Sequence, residues 1–212
     1  MQTKTFIQFL LDNRMPVFTF DDAIKVLHSS RGYTKLFLHR CTQKKLISRV
    51  TKGIYYVTER ANEYEIASHI VSPCYISMVS ALSYYGMTTQ IPNKVYVIST
   101  KRHGKIKDVL GYEIIFKRVQ DYMMFGYHKE AYGNIFIADP QKAIVDIFYF
   151  NDINDLDENV FDKPQRLDVA KLVAYADRTG RKTVKSRVAE LLRSHGYHVQ
   201  AKLLLNGKGP KR

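Results

Sequence analysis

The chain contains 212 residues, with 33 Lys and Arg against 20 Asp and Glu, so its formal net charge is +13. Apolar residues make up 45% of the sequence, which excludes general disorder, and no stretch approaches the ~18 apolar residues of a membrane span. The two cysteines, Cys41 and Cys74, are too few for a disulfide framework or a cysteine zinc site, which favours a reduced cytoplasmic protein.

The first 60 residues follow the order helix, helix, turn, helix, hairpin. An amphipathic helix is predicted over 3–11, with Phe6, Phe9 and Leu10 on one side. Met15-Pro16 is the signal that stops this helix. Thr19 precedes two acids and caps a second helix. The remaining predicted elements are a polar turn over 28–32, a helix over 34–46, and hairpin strands over 47–50 and 54–57 around Gly53. This order is typical of a winged helix-turn-helix.

The helix predicted over 34–46 has the two faces that a DNA recognition helix needs. One face carries Thr34, Phe37, Leu38, Cys41 and Lys45. The opposite face is polar and basic, and the hairpin adds two cations at the position of a wing. Donors such as Arg, Lys and Gln suit base edges and phosphates. The predicted DNA contacts are Lys35, His39, Arg40, Gln43, Lys44, Arg49 and Lys52.

Beyond residue 60 the pattern changes to alternating helices and strands. Helices are predicted over 60–71, over 73–85 with Ser72-Pro73 as its start, over 140–150 after Asp139-Pro140, and over 167–178 and 184–194. Strands are predicted over 94–100, 112–119 and 134–138, and an acidic connection over 151–163. The predicted fold class is therefore α+β: an N-terminal winged helix-turn-helix domain (1–60), a mixed α/β C-terminal domain with a small sheet and terminal helices (61–205), and a basic flexible tail (206–212).

The basic charge lies at the two ends of the chain. Residues 1–60 carry a net +7 (11 basic, 4 acidic), residues 61–160 carry −3 (9 basic, 12 acidic), and residues 161–212 carry +9 (13 basic, 4 acidic). Such a distribution favours one or two surfaces that meet nucleic acid. The expected second phosphate-binding patch consists of Arg178, Arg181, Lys182, Lys185 and Arg187, although a solvated helix face would look the same.

Motifs for nucleotide, metal or covalent chemistry are absent. The sequence has no Walker A loop, no H-E-x-x-H and no G-x-S-x-G, and Gly196 separates His195 from His198. We expect no catalytic residue, no metal site and no cofactor. Two rival functions remain open. One is a metal-dependent nuclease that would use Glu113, Lys117 and a nearby acid such as Asp121 or Asp139. The other is a single-strand or RNA binder that would use a Tyr-rich surface, since the chain has 15 tyrosines.

Several segments resemble the AbiEi antitoxin family. The hairpin piece Lys52-Gly53-Ile54-Tyr55-Tyr56-Val57 is similar to that family's wing, and the most specific match begins at Tyr75-Ile76-Ser77 and continues through Ala81-Leu82-Ser83-Tyr84-Tyr85-Gly86. The piece Asp139-Pro140-Gln141-Lys142-Ala143-Ile144-Val145-Asp146 resembles a further family helix. The resemblance implies a non-enzymatic repressor that binds double-stranded operator DNA through its winged helix. It also implies the role of antitoxin in a type IV pair, opposing a nucleotidyltransferase-like toxin.

Overall fold

The computed structural model describes residues 2–88, 92–131, 134–153 and 167–206. Within these ranges the chain has a mixed α+β architecture built around two separate sheets. The acidic connection predicted over 151–163 and the basic tail predicted over 206–212 fall mostly outside the described residues. None of the described helices combines the length and the apolar character of a bilayer-spanning segment.

The N-terminal part is a winged helix-turn-helix. Its elements are α1 (Thr3–Asp12), β1 (Val17–Thr19), α2 (Phe20–Leu27), α3 (Arg31–Gln43), β2 (Ile47–Thr51) and β3 (Ile54–Val57). The three strands form an antiparallel sheet in the order β1-β3-β2. Gly53 closes the turn between β2 and β3 with φ +83°, a conformation that costs glycine nothing. The predicted order of three helices followed by a hairpin is confirmed, although the bounds of α3 differ.

Side-chain caps set the starts of both central helices. Thr19 accepts the backbone N–H of Asp22 at 3.1 Å, and the Asp22 carboxylate accepts the backbone N–H of Thr19 at 2.9 Å, which is a capping box. Ser30 caps α3 by accepting the backbone N–H of Tyr33 at 3.3 Å. The start predicted at residue 34 was therefore wrong by three residues, because Ser30 was counted as part of the turn.

Two residues of this part, one apolar and one basic, do not lie on the helix faces predicted for them. Phe6 and Leu10 are buried, but Phe9 is 41% exposed rather than packed beside them. The helix predicted over 34–46 ends at Gln43, and Lys45 follows it in the left-handed region with φ +56°. Lys45 is exposed and does not share the buried face of Thr34, Phe37, Leu38 and Cys41.

The remainder of the chain builds a six-stranded mixed sheet with helices around it. Its strands are β4 (Cys74–Ile76), β5 (Lys94–Ser99), β6 (Ile106–Val109), β7 (Tyr112–Arg118), β8 (Tyr127–Lys129) and β9 (Phe136–Ala138), in the order β6-β7-β5-β4-β9-β8. Its helices are α4 (Glu63–Ile70), α5 (Met78–Tyr84), α6 (Pro140–Phe150), α7 (Val169–Arg178), α8 (Lys182–Ser194) and α9 (His198–Leu205). The pairs β5–β7 and β4–β9 are parallel, and the other pairs are antiparallel.

One predicted element of this part was wrong. Ser72-Pro73 does not start a helix, because the next three residues form the central strand β4, and α5 begins only at Met78. Every side chain of β4 is buried, as expected for a strand covered on both faces. The short strands β1, β6 and β8 and the last helix, α9, were not predicted. The predicted strands at 94–100, 112–119 and 134–138 and the helix from Pro140 are confirmed.

A buried polar network lies between α6 and the sheet. Lys142 and Asp146 form an ion pair one turn apart on α6, and both side chains are fully buried. The Tyr75 hydroxyl donates to the Asp146 carboxylate at 3.1 Å, and the Ser77 hydroxyl donates to it at 2.7 Å. Burial and the adjacent carboxylate raise the pKa of Tyr75, so this phenol stays protonated and keeps donating.

Candidate nucleic-acid interface

The helix α3 presents a continuous solvent-facing surface. Its buried residues pack into the small core, where the Phe37 ring meets the Phe6 ring edge-on at 5.2 Å. The side chains on the opposite face and its flanks are exposed. They are those of Lys35, Leu36, His39, Arg40 and Gln43, and Lys44 is exposed at the residue that follows the helix. All five predicted contacts on this segment are therefore free to reach a partner.

The wing is fixed beside the start of α2. The backbone N–H of Phe20 donates to the Gly53 carbonyl at 2.8 Å, which holds the hairpin turn against the first residue of that helix. Within the wing, the Arg49 Nε donates to the Thr51 carbonyl at 3.1 Å. Tyr55 stacks on Phe18 with ring centroids 5.8 Å apart. The hairpin thus has a defined position relative to α3.

A basic groove runs between α3 and the wing. Its open volume is about 470 Å³, and four of its lining residues are Arg31, Lys35, Arg49 and Lys52. Phe20, Gly53 and Tyr55 also line it, and Asp21 is its single acidic lining residue. We call these four cations and the space between them the basic groove. The structure therefore brings three predicted contacts together, whereas His39, Arg40, Gln43 and Lys44 lie outside the groove, further along α3.

Arg31 is the member of the basic groove that sequence reasoning missed. Its guanidinium lies 5.2 Å from the centre of the Phe20 ring and 3.4 Å from the Asp21 carboxylate. Both ends of that ion pair are largely exposed, so it contributes little and leaves Arg31 available. The signal was the spacing: Arg31 precedes Lys35 by four residues and therefore shares its side of the helix.

The predicted second patch is divided by contacts within the protein. Arg178 stacks over the Phe125 ring at 4.1 Å, and Lys185 forms an ion pair with Asp177. Arg181 lies 3.7 Å from the centre of the Tyr149 ring. Lys182 is exposed and Arg187 is half-buried. These five cations lie on two successive helices and the turn between them, and three of them already have partners.

Three of the four side chains considered for a nuclease lie in separate ion pairs. Glu113 pairs with Lys105 at 3.0 Å, Lys117 pairs with Asp152 at 2.7 Å, and Asp139 pairs with Lys171 at 2.6 Å. The strand that carries Glu113 and Lys117 is separated by β5 and β4 from β9, and Asp139 directly follows the last residue of β9. The hydrogen bond from Lys105 lowers the pKa of Glu113, which makes it a weaker base.

Several tyrosine rings in the described part of the chain pack in pairs. Tyr75 stacks on Tyr127 at 4.6 Å, and the rings of Tyr64 and Tyr84 meet edge-on at 5.9 Å. These rings pack against one another within the protein. Across the described ranges, His, Cys, Asp and Glu side chains form no group of three that could hold a metal ion.

A comparison with known proteins found a match for the winged module. No curated protein matches the chain. The family model described as "Transcriptional regulator, AbiEi antitoxin" matches residues 6–58, a range that runs from α1 through the last strand of the wing and includes the whole basic groove. The winged N-terminal module is thus the part of this chain that is similar to the AbiEi antitoxin family of transcriptional regulators.

Proposed function

We propose that the protein is a DNA-binding transcriptional autorepressor that acts as the antitoxin of a type IV toxin–antitoxin pair in the cytoplasm. The observation that carries the proposal is the basic groove, which unites cations of α3 and of the wing inside the module that matches the family. Residues 1–60 would bind the operator, and residues 61–205 would form the body that opposes the toxin.

The exposed surface of α3 suits the major groove of duplex DNA. The helix has 13 residues and is about 20 Å long, and the major groove is about 12 Å wide. In this arrangement Arg40 and Gln43 reach base edges, while Lys35 and Lys44 on the two flanks meet phosphates. Arg49 and Lys52 place the wing on the adjacent backbone. The neighbouring His39 completes the polar contact surface.

Two further residues of α3 favour close approach to DNA. A Cβ placed on Gly32 would meet no atom within 4 Å, so this turn of the helix is open to a partner. Leu36 is 49% exposed and lies one turn further along the same side. An exposed leucine next to donors is suited to the methyl group of thymine, which is the apolar feature of the major groove.

The basic groove gives the first testable prediction. The variant Lys35→Ala/Arg49→Ala should bind the operator about 10- to 100-fold more weakly, because it loses two charge-assisted contacts to the duplex. Fluorescence anisotropy with a labelled duplex from upstream of the gene, at fixed salt, measures the change. The variant Arg40→Ala/Lys44→Ala should also weaken binding, and circular dichroism should show that both variants keep the fold.

A matched control lies outside the basic groove. Lys4 is exposed on α1 and lines a different groove, so Lys4→Gln should leave operator affinity unchanged. The slope of log affinity against log salt should fall by about 2 in Lys35→Ala/Arg49→Ala and stay constant in Lys4→Gln. Equal affinities for all variants at fixed salt would overturn the assignment of α3 and the wing.

The antitoxin role is tested separately. If a neighbouring reading frame encodes a nucleotidyltransferase-like protein, its expression should arrest growth and co-expression of this chain should restore growth. We expect Lys35→Ala/Arg49→Ala to lose promoter repression in a reporter assay yet to retain the growth rescue, since the basic groove belongs to the DNA-binding part. Absence of such a frame, or growth arrest that the wild-type chain fails to relieve, would contradict the toxin pairing.

A further inference from the structure

An open cleft lies at the carboxyl end of β7, outside the winged module. Its volume is about 370 Å³, and its walls include Arg118, Gln120, Tyr122, Tyr149, Phe150 and Arg181. Arg118 is the last residue of β7, Tyr149 and Phe150 end α6, and Arg181 precedes α8. Three elements that are distant in sequence therefore meet at this cleft, which we call the arginine cleft.

Both guanidinium groups of the arginine cleft are held in place by the protein. The Arg118 Nε donates to the Thr100 carbonyl at 3.1 Å, so its two terminal nitrogens stay available. Both terminal nitrogens of Arg181 donate to Tyr149, one to its hydroxyl at 2.9 Å and the other to its carbonyl at 3.4 Å, while the guanidinium stacks on that ring. A guanidinium has five donors in a fixed fork, so each side chain keeps N–H groups for a ligand.

The charge around these two groups is unbalanced. Among the described residues that line the arginine cleft there is no carboxylate. Asp152, close in sequence to Phe150, is paired with Lys117 at 2.7 Å. Burial raises the pKa of Tyr149, so its phenol stays protonated and neutral at physiological pH. A cleft with two fixed cations and uncharged walls favours an anion, and the paired forks fit the tetrahedral oxygens of a phosphate.

The remaining walls are aromatic. Tyr122 lines the cleft and is 51% exposed, so its ring is accessible at the rim. An exposed ring next to a phosphate-sized anion site can stack against a planar base. We propose that the arginine cleft binds a nucleoside monophosphate, with the phosphate between Arg118 and Arg181 and the base against Tyr122. The cleft is concave, which suits a small ligand better than the convex backbone of a duplex.

The test uses the full-length protein without DNA, so its outcome is independent of the proposed operator binding. Isothermal titration calorimetry with AMP, GMP, CMP and UMP at millimolar concentration should show binding of at least one of them. The matching nucleosides, which lack the phosphate, should bind at least ~10-fold more weakly. Inorganic phosphate should compete with the bound nucleotide.

Two variants and a control locate the site. Arg118→Gln and Arg181→Gln should each weaken nucleotide binding at least ~10-fold. Arg193→Gln, which changes an exposed arginine of α8 outside the cleft, should have no effect. Because Arg181 also packs on Tyr149, thermal melts check its fold, and Arg118→Gln serves as the second, less intrusive variant.

Three outcomes would overturn the proposal. The first is that the wild-type protein binds no monophosphate, and the second is that Arg118→Gln retains full affinity while folded. The third is that both variants leave nucleotide binding unchanged but weaken duplex affinity in the anisotropy assay. That result would assign the two arginines to the DNA backbone instead of a small ligand.

Discussion

Replacing Asp146 with Ala should destabilise the protein by about 3–5 kcal/mol, the cost of removing one partner of a buried ion pair. The Lys142 ammonium would remain fully buried without a counter-charge. Tyr75 and Ser77 would also lose the acceptor of their hydroxyl hydrogen bonds. Because whole domains are stable by only about 5–15 kcal/mol, the loss would be a large share of the total. Urea denaturation followed by circular dichroism measures it.

An exposed ion pair provides the matched control for this experiment. Asp177 pairs with Lys185 where both side chains are partly accessible to water, so Asp177→Ala should cost at most about 1 kcal/mol. The double variant Lys142→Met/Asp146→Leu should recover part of the loss, since it removes the unpaired charge. If Asp146→Ala costs no more than Asp177→Ala, the buried network does not stabilise the fold as we expect.

Stability should also fall steeply above about pH 9–10. Burial raises the pKa of the Cys74 thiol to about 12, and burial together with Asp146 raises the pKa of Tyr75 well above 10. Burial raises the pKa of Tyr64 to about 12 as well. The folded state therefore keeps protons that the unfolded chain releases at pH about 9 for cysteine and about 10 for tyrosine. The stability is complete below those values and is lost as the pH rises toward the folded pKa values.

The expected slope is about 1.4 kcal/mol per pH unit for each such group, so Cys74 and Tyr75 together give nearly 3 kcal/mol per unit between pH 10 and about 12. Urea midpoints at a series of pH values measure this slope. Tyr75→Phe and Cys74→Ala should each reduce it by about one group's share, whatever they do to stability at neutral pH. Tyr33→Phe, at an exposed ring, should leave it unchanged. A flat profile up to pH 11 would contradict the prediction.

Local signals predicted the helices and the hairpin of the winged module, but not its strand β1. The Thr19 cap, the helical spacing of Phe37, Leu38 and Cys41, and the glycine turn at Gly53 each act within a few residues. The folded module keeps these local conformations because its tertiary packing favours the same ones. The basic groove was partly predictable for the same reason, since Lys35, Arg49 and Lys52 stand out as solvent-facing cations. Their meeting around one space depends on the hydrogen bond between Phe20 and Gly53, which no sequence pattern reveals.

The errors have physical causes of their own. The strands β1 and β8 are three residues long, which is too short for any alternation to be visible. At Ser72-Pro73 the sequence has the features of a helix start, but the next three side chains are buried on both sides of the sheet, and tertiary packing outweighs the local preference. In the second basic patch, the sequence predicts three solvent-exposed charges that the structure shows in contact with other side chains. Arg178 stacks on Phe125, Arg181 stacks on Tyr149, and Lys185 pairs with Asp177, and none of these partners can be identified from the sequence.

The strand β1 belongs to both halves of the molecule. Its successive side chains point in opposite directions, so Phe18 packs into the small core under α3 while Val17 packs into the large core with α4. From β2 and β3, Val50, Ile54 and Tyr56 also pack against that larger core. The module that carries α3 therefore also contributes apolar residues to the larger core, and exchanging the module would change that core. A wing transplanted from another protein would need matching apolar residues on the side that packs against this larger core.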